Sequence, residues 1–163
     1  MSELTFHRYP GGQVSPWWPQ ASQLRWDVFV QEQQVAPVLE LDARDYRPTT
    51  THLVGVDRDG VVQAAARILP DGNGVFHLGR VVVRQTGRGR GWGRQIMEAA
   101  HREVVHLLPP GTTGRLVLEA QVQAIDFYRS CGYQPTDDPR FLDAGIWHQR
   151  MDRSIVSSTP PAR

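Results

Sequence analysis

The sequence contains no lysine; all eighteen of its basic residues are arginine. A Walker A loop requires G-x-x-x-x-G-K-[ST], so that nucleotide-binding device is excluded. The all-arginine usage itself reads as a codon or lineage bias. Cysteine is nearly absent too. A single Cys131 permits no intrachain disulfide, which fits a reducing cytoplasm. No apolar stretch approaches the roughly 20 residues of a membrane span. Met1-Ser-Glu-Leu-Thr5 lacks the charged and apolar regions of a secretory signal. Net charge is close to missing, at +1, which argues against a general nucleic-acid binder. A metal centre is not expected either: His101 and His106 lie five apart, not four, and no further ligand is obvious. These absences predict a cytoplasmic protein with no membrane or nucleic-acid partner.

What is present suits a globular fold. The chain has 163 residues, 40% of them apolar, enough for a sizeable core in one domain. That domain is expected over 1–156. Ser157-Ser-Thr-Pro-Pro-Ala-Arg163 reads as a disordered tail. Alternation predicts strands over Leu4–Tyr9, His52–Val56, Val61–Leu69, Val75–Val83 and Arg115–Ala120, with further short strands at Gly132–Gln134 and Gly145–Met151. Helical spacing predicts helices over Ala21–Gln33, Gly89–Leu107 and Gln121–Ser130. Gln34–Pro48 looks irregular and acidic. An antiparallel meander followed by βα units implies an α+β fold, a mixed and mostly antiparallel sheet flanked by helices.

The most informative run is Arg88-Gly-Arg-Gly-Trp-Gly-Arg94, between a strand and an amphipathic helix. Glycines let backbone N–H groups approach an oxyanion, and a helix N-terminus carries partial positive charge. Arg84, Arg88, Arg90 and Arg94 add full charges, so a pyrophosphate is the expected guest. The dinucleotide fingerprint G-x-G-x-x-G fails, because Gly87, Gly89, Gly91 and Gly93 alternate. An RNA-binding arginine–glycine segment is a competing reading, weakened because the run is short and occurs once.

The remaining pattern, Arg88-x-x-Gly91-x-Gly93, resembles the Q/R-x-x-G-x-G/A motif of the GNAT acetyltransferases, which cradles the pyrophosphate of acetyl-CoA. A second segment, Gln121-x-x-Ala124-x-x-x-Tyr128-x-x-x-Gly132-Tyr133, resembles that family's N-x-x-A-x-x-x-Y-x-x-x-G-F, with glutamine in place of asparagine. The wider pattern is similar to the ElaA-like branch. It includes Arg25-x-x-Val28-Phe-Val-Gln-Glu-Gln33, Leu41-Asp-x-x-Asp45, His52, Ala66-Arg-Ile-Leu69, Leu78-Gly-Arg-Val81, Ala120-Gln121, Phe127-Tyr128 and Asp143-x-Gly-Ile-x-His148-x-x-Met151. The branch often places a tyrosine after its V-F-V-x-E-Q segment, where this chain continues Gln34-Val-Ala-Pro.

The resemblance implies the GNAT fold and N-acetyl transfer from acetyl-CoA to a primary amine, of a small molecule or a protein, in one ternary complex. It implies a cofactor site made of Val81, Val82, Val83, Arg88, Gly89, Arg90, Gly91, Trp92, Gly93, Arg94, Gln121 and Tyr128. The pantetheine arm would lie along Val81–Val83 like an added strand. Tyr128, a phenol with an ordinary pKa of about 10, would protonate the departing thiolate. Glu32 and Glu119 are the leading candidate bases, with His52 and His148 as alternatives. Arg25, Glu32, His52 and His148 are candidate acceptor-binding residues, although for Arg25 a pairing with Asp42 or Asp45 that holds the loop is slightly favoured. The acids of Glu40–Asp45 hint at a cationic acceptor. Cys131 reads as packing and not as an acyl carrier. A non-catalytic acyl-CoA-binding module is the alternative function, and a homodimer is compatible with either.

Overall fold

The computed structural model describes residues 3–158. Its strands are β1 (Thr5–Pro10), β2 (Thr51–Val56), β3 (Val62–Gly72), β4 (Val75–Val83), β5 (Thr113–Gln121), β6 (Gln134–Pro135), β7 (Phe141–Asp143) and β8 (Ile146–Val156). They form one sheet in the order β1-β2-β3-β4-β5-β8-β6, with β7 also on β8. The β4–β5 pair is parallel and every other pair is antiparallel. This is the mixed, mostly antiparallel α+β sheet expected from the sequence.

Helices cover both faces. α1 (Trp18–Arg25) runs into a π-helical turn, Trp26–Glu32, and α2 is the short Pro37–Glu40. α3 (Trp92–Leu107) and α4 (Ile125–Ser130) follow. Alternation on the central strands sorts side chains between two cores. Leu53, Ala64, Ala66 and Ile68 join Ile96, Met97, Ala100 and Val104 of α3. Val54, Val62 and Ala65 point the other way, to Ala21 and Leu24 of α1 and Val28 of the π turn. Both faces of β2 and β3 are therefore buried, which explains their near-continuous apolar sequences.

Several boundaries differ from the sequence reading. The helix expected over Ala21–Gln33 begins at Trp18 and widens into the π turn, where Gln33 N–H donates to the Val28 carbonyl at 2.9 Å. This wider turn carries Phe29 and Gln33 to the cavity wall described below. The segment read as irregular holds α2 and a 3-10 turn, Ala43–Tyr46. The latter is closed by a capping box in which Asp42 accepts from Arg44 N–H. β5 extends to Gln121, so α4 is shorter than expected, and β7 was missed. Ser157 is buried, its N–H donating to the Thr112 carbonyl and its hydroxyl to the Pro109 carbonyl. The disordered tail expected from 157 therefore does not start there; 159–163 lie outside the described residues.

Candidate active site

The site originates where the sheet forks. β4 and β5 pair only through Val75–His77 and Arg115–Val117. Beyond His77, among the described residues, the β5-facing edge of β4 has no ladder partner. The other edge stays paired to β3 through Ala64↔Val83 and Ala65↔Val82. A bulge separates Ala65/Val82 from Arg67/Gly79, and within it Arg80 adopts φ +50°. The fork opens into a cavity of about 760 Å³ that reaches from the glycine loop to β8.

One end of the cavity gathers most of the residues expected to form the cofactor site. Val81, Val82, Val83, Arg88, Gly89, Gly91, Trp92, Gly93, Arg94, Gln121 and Tyr128 all line it. Gly91 caps α3 at φ +81° and Gly89 sits at φ +82°, backbone that L side chains rarely adopt. Their amides and the α3 N-terminus form a cradle suited to an anion. Gly93 abuts Phe127, 3.3 Å from where a Cβ would stand. Arg90 departs from the expectation: it does not line the cavity, and its guanidinium lies over the Trp92 ring instead, 5.4 Å from the centroid.

The Tyr128 phenol faces the same cavity. Burial raises its pKa, with the neighbouring Cys131 adding to the shift, so it keeps its proton at neutral pH. Gln121 donates from Nε2 to Gln33 Oε1 at 2.8 Å, joining the end of β5 to the residue after the π turn. Cys131 is buried, does not line the cavity, and is pushed up by burial, so it stays a thiol.

The expected base and acceptor residues need correction. Glu32 lies outside the cavity wall, held in an ion pair by Arg88. Arg25 is 2% exposed and donates to Glu40 at 2.6 Å and to both Asp45 oxygens at 2.7 and 3.0 Å. It fastens the loop, as the pairing reading expected, and does not line the cavity. His52 is also buried; its Nε2 donates to the Asp45 carbonyl at 2.9 Å and its ring stacks on Tyr9. Burial lowers its pKa, which keeps it neutral. His148 does line the cavity, stacked on Phe141, with Nδ1 2.7 Å from the Ile146 carbonyl.

The acids of Glu40–Asp45 are answered inside the molecule. Arg67 lies 3.0 Å from Asp45 and 3.2 Å from Asp42, and Arg80 lies 3.3 Å from Asp42. Arg80 also donates to the α2 carbonyls of Leu39 and Glu40. These carboxylates therefore give no support to a cationic acceptor.

The other end of the cavity holds residues that the sequence reading passed over. Arg44, Leu69, His77 and Asp143 line it beside Glu119 and His148. His77 was detectable: it is a polar residue between Phe76 and Leu78, whose side chains enter the core, so period-two alternation turns it to the opposite face. Glu119 lies on that face as well, since Leu118 and Ala120 are core residues.

Residues 21–155 match the family described as the Acetyltransferase (GNAT) domain. The chain is 34% identical over 131 residues to the uncharacterized N-acetyltransferase YjcF of Bacillus subtilis, covering 80% of this chain and 88% of that protein. It is 32% identical over 138 residues to protein ElaA of Escherichia coli, covering 83% and 86%. The crystal structure of that ElaA superposes with a TM-score of 0.79, covering 92% of this chain and 99% of that one. An acyl-CoA N-acyltransferase from Pseudomonas aeruginosa superposes with a TM-score of 0.80 at 30% identity, covering 92% and 99%. The fork, the glycine cradle and these likenesses converge: the chain belongs to the GNAT acetyltransferase family, whose members are acyltransferases.

Proposed function

We propose that this protein transfers an acetyl group from acetyl-CoA to a primary amine, directly, within a complex that holds both. The observation that best supports this reading is the unpaired edge of Val81–Val83, which runs from the glycine cradle into the cavity that Tyr128 faces. An extended chain bearing amides suits such an edge, and an anionic diphosphate suits the cradle at the start of α3. When bound, acetyl-CoA supplies an activated acyl group. A backbone N–H of the Val81–Val83 edge is suited to hold an oxyanion. Tyr128, kept protonated by burial, is suited to donate its proton to a departing thiolate. Transfer in one step is favoured because Cys131 is a buried thiol outside the cavity. A lone cysteine is compatible with a reducing compartment, and we take the cytoplasm as the location.

Calorimetric titration with acetyl-CoA tests the cofactor site, with Gly91→Glu as the control that blocks the cradle. The parent is expected to bind and the variant to fail. A panel of primary amines then tests transfer. Tyr128→Phe should keep acetyl-CoA affinity and lose about 100-fold in kcat. A folded parent that binds acetyl-CoA and acetylates no amine would leave only the reading of an acyl-CoA-binding module.

A further inference from the structure

We infer that Glu119, His77 and Asp71 together bind the acceptor amine in its protonated form and carry its proton away. The inference rests on the amine-acylation reading above and adds the acceptor's charge state and the residues that manage it. His77 is the last residue of β4 that pairs with β5, so it stands at the point of the fork. Its Nε2 lies 3.4 Å from Glu119 Oε2, and both side chains line the cavity. Its Nδ1 lies 3.8 Å from Asp71 Oδ2 at the outer end of β3. Side-chain exposure is 30% at Glu119, 23% at His77 and 53% at Asp71, so the Asp71 end of the line meets solvent. An imidazole with a carboxylate near each ring nitrogen can accept a proton at one nitrogen and release another from the second.

The surroundings favour a cation. Glu119 is held as a carboxylate: its contact with His77, and then Arg150 at 3.4 Å, bring its pKa down to about 2. Arg44 also lies within its field, and Arg115, on the same face of β5, is paired with Asp152 of β8. An ionised carboxylate on a cavity wall attracts an ammonium and disfavours an anionic acceptor. The other candidate bases are engaged elsewhere. Glu32 is held by Arg88, His52 is buried, and His148 Nδ1 is tied to its own strand.

The proton bookkeeping balances. With the ammonium on Glu119 in place of the His77 contact and the imidazole proton on Nδ1, an N–H bond of the ammonium breaks and an Nε2–H bond forms on His77, leaving an amine whose lone pair is free to attack. The imidazolium then gives its Nδ1 proton to Asp71 and on to water. The net reaction of an ammonium with a thioester yields an amide, a thiol and one proton, and this line of residues exports that proton.

A pair of acceptors separates this role from a structural one. n-Butylamine is an ammonium at neutral pH, whereas aniline is already neutral. His77→Gln should lower kcat/KM for n-butylamine about 100-fold and leave aniline within about twofold. Glu119→Gln should raise KM for n-butylamine selectively. Without any thioester, n-butylammonium should perturb the His77 ring ¹⁵N signals in the parent and not in Glu119→Gln. Equal losses for both amines, or no perturbation, would overturn the inference while amine acylation stands. If the parent binds acetyl-CoA and acetylates no amine of the panel, these two included, the functional reading fails and this inference falls with it.

Discussion

Arg88 holds Glu32 with both ends of its guanidinium fork: Nη2 lies 3.0 Å from Oε1, Nη1 contacts Oε2, and Nη2 also reaches the Val83 carbonyl at 3.3 Å. The first residue of the glycine motif is thereby tied to the π turn and to the end of β4. Glu32 is engaged as a brace for the loop, outside the cavity wall.

Glu32→Gln should therefore leave kcat unchanged. An exposed ion pair is worth at most about 1 kcal/mol, so KM for acetyl-CoA should move by no more than about fivefold. Steady-state kinetics decides the matter, and a loss of about 100-fold in kcat would restore Glu32 as the base.

Gly87 should prove as necessary as the glycines inside the motif. A Cβ there would lie 2.0 Å from the Trp92 indole, which is buried at the first turn of α3. Gly87→Ala must displace that ring, and a destabilisation of about 1–3 kcal/mol is expected. Acetyl-CoA affinity should fall as the cradle shifts. At Gly89 a Cβ meets nothing within 4 Å, but φ is +82°, so Gly89→Ala should lose only about 1 kcal/mol from backbone strain. Urea unfolding of the two variants side by side measures the difference.

Arg25→Met should be severe. It removes the cation between Glu40 and Asp45, whose side chains are 6% and 0% exposed. Stranding a buried charge costs about 3–5 kcal/mol; Arg67 still faces Asp45 at 3.0 Å, so the loss is expected at the lower end of that range. Arg25→Lys should recover only part of this, because an ammonium cannot match the forked contact to Asp45. Thermal melts of both variants give the ranking.

His101 makes the fold sensitive to mild acid. Its Nε2 donates to Tyr133 Oη at 2.9 Å and Arg153 Nη1 approaches Nδ1 at 3.5 Å. Burial, with the Arg153 charge second, lowers its pKa to about 4. The unfolded chain, with an ordinary value near 6.5, takes up this proton first as pH falls. The contribution is thus complete above about pH 6.5 and is lost down to about pH 4, by at most ~1.4 kcal/mol per pH unit. Between those limits the parent should lose more stability than His101→Gln, as read from urea midpoints. Parallel curves would show that the ring titrates normally.

The glycine loop, the strand before it and Tyr128 were legible because their chemistry is local. Gly89 and Gly91 need positive φ, and their neighbours in sequence are their neighbours in space. The engagements of Glu32 and His52 were not, because each depends on a partner from another element, whereas the pairing of Arg25 with Asp45 was among the readings the sequence offered. The Arg88–Glu32 pair spans 56 residues, and Arg25–Asp45 spans 20. A conspicuous carboxylate or histidine says nothing about whether an arginine from another element has already claimed it. His77 escaped notice, and its partnership with the candidate base Glu119 with it, for a related reason. Strand alternation gives the face each occupies, but only the fork between β4 and β5 brings the two together at an opening.

The fork leaves the protein with an unfinished sheet. Three residue pairs join β4 to β5, and past them the edge of β4 has hydrogen-bonding groups with no rung opposite. Any occupant that supplies those rungs binds the native chain and not the unfolded one, so it adds RT ln(1 + [L]/Kd) to the folding free energy. The amides of Val81–Val83 that face the gap, and not those already bonded to β3, should then change from fast to slow hydrogen exchange when it is filled. The durability of this fold is therefore a shared property, set as much by the concentration of what lies in the fork as by the residues that build it.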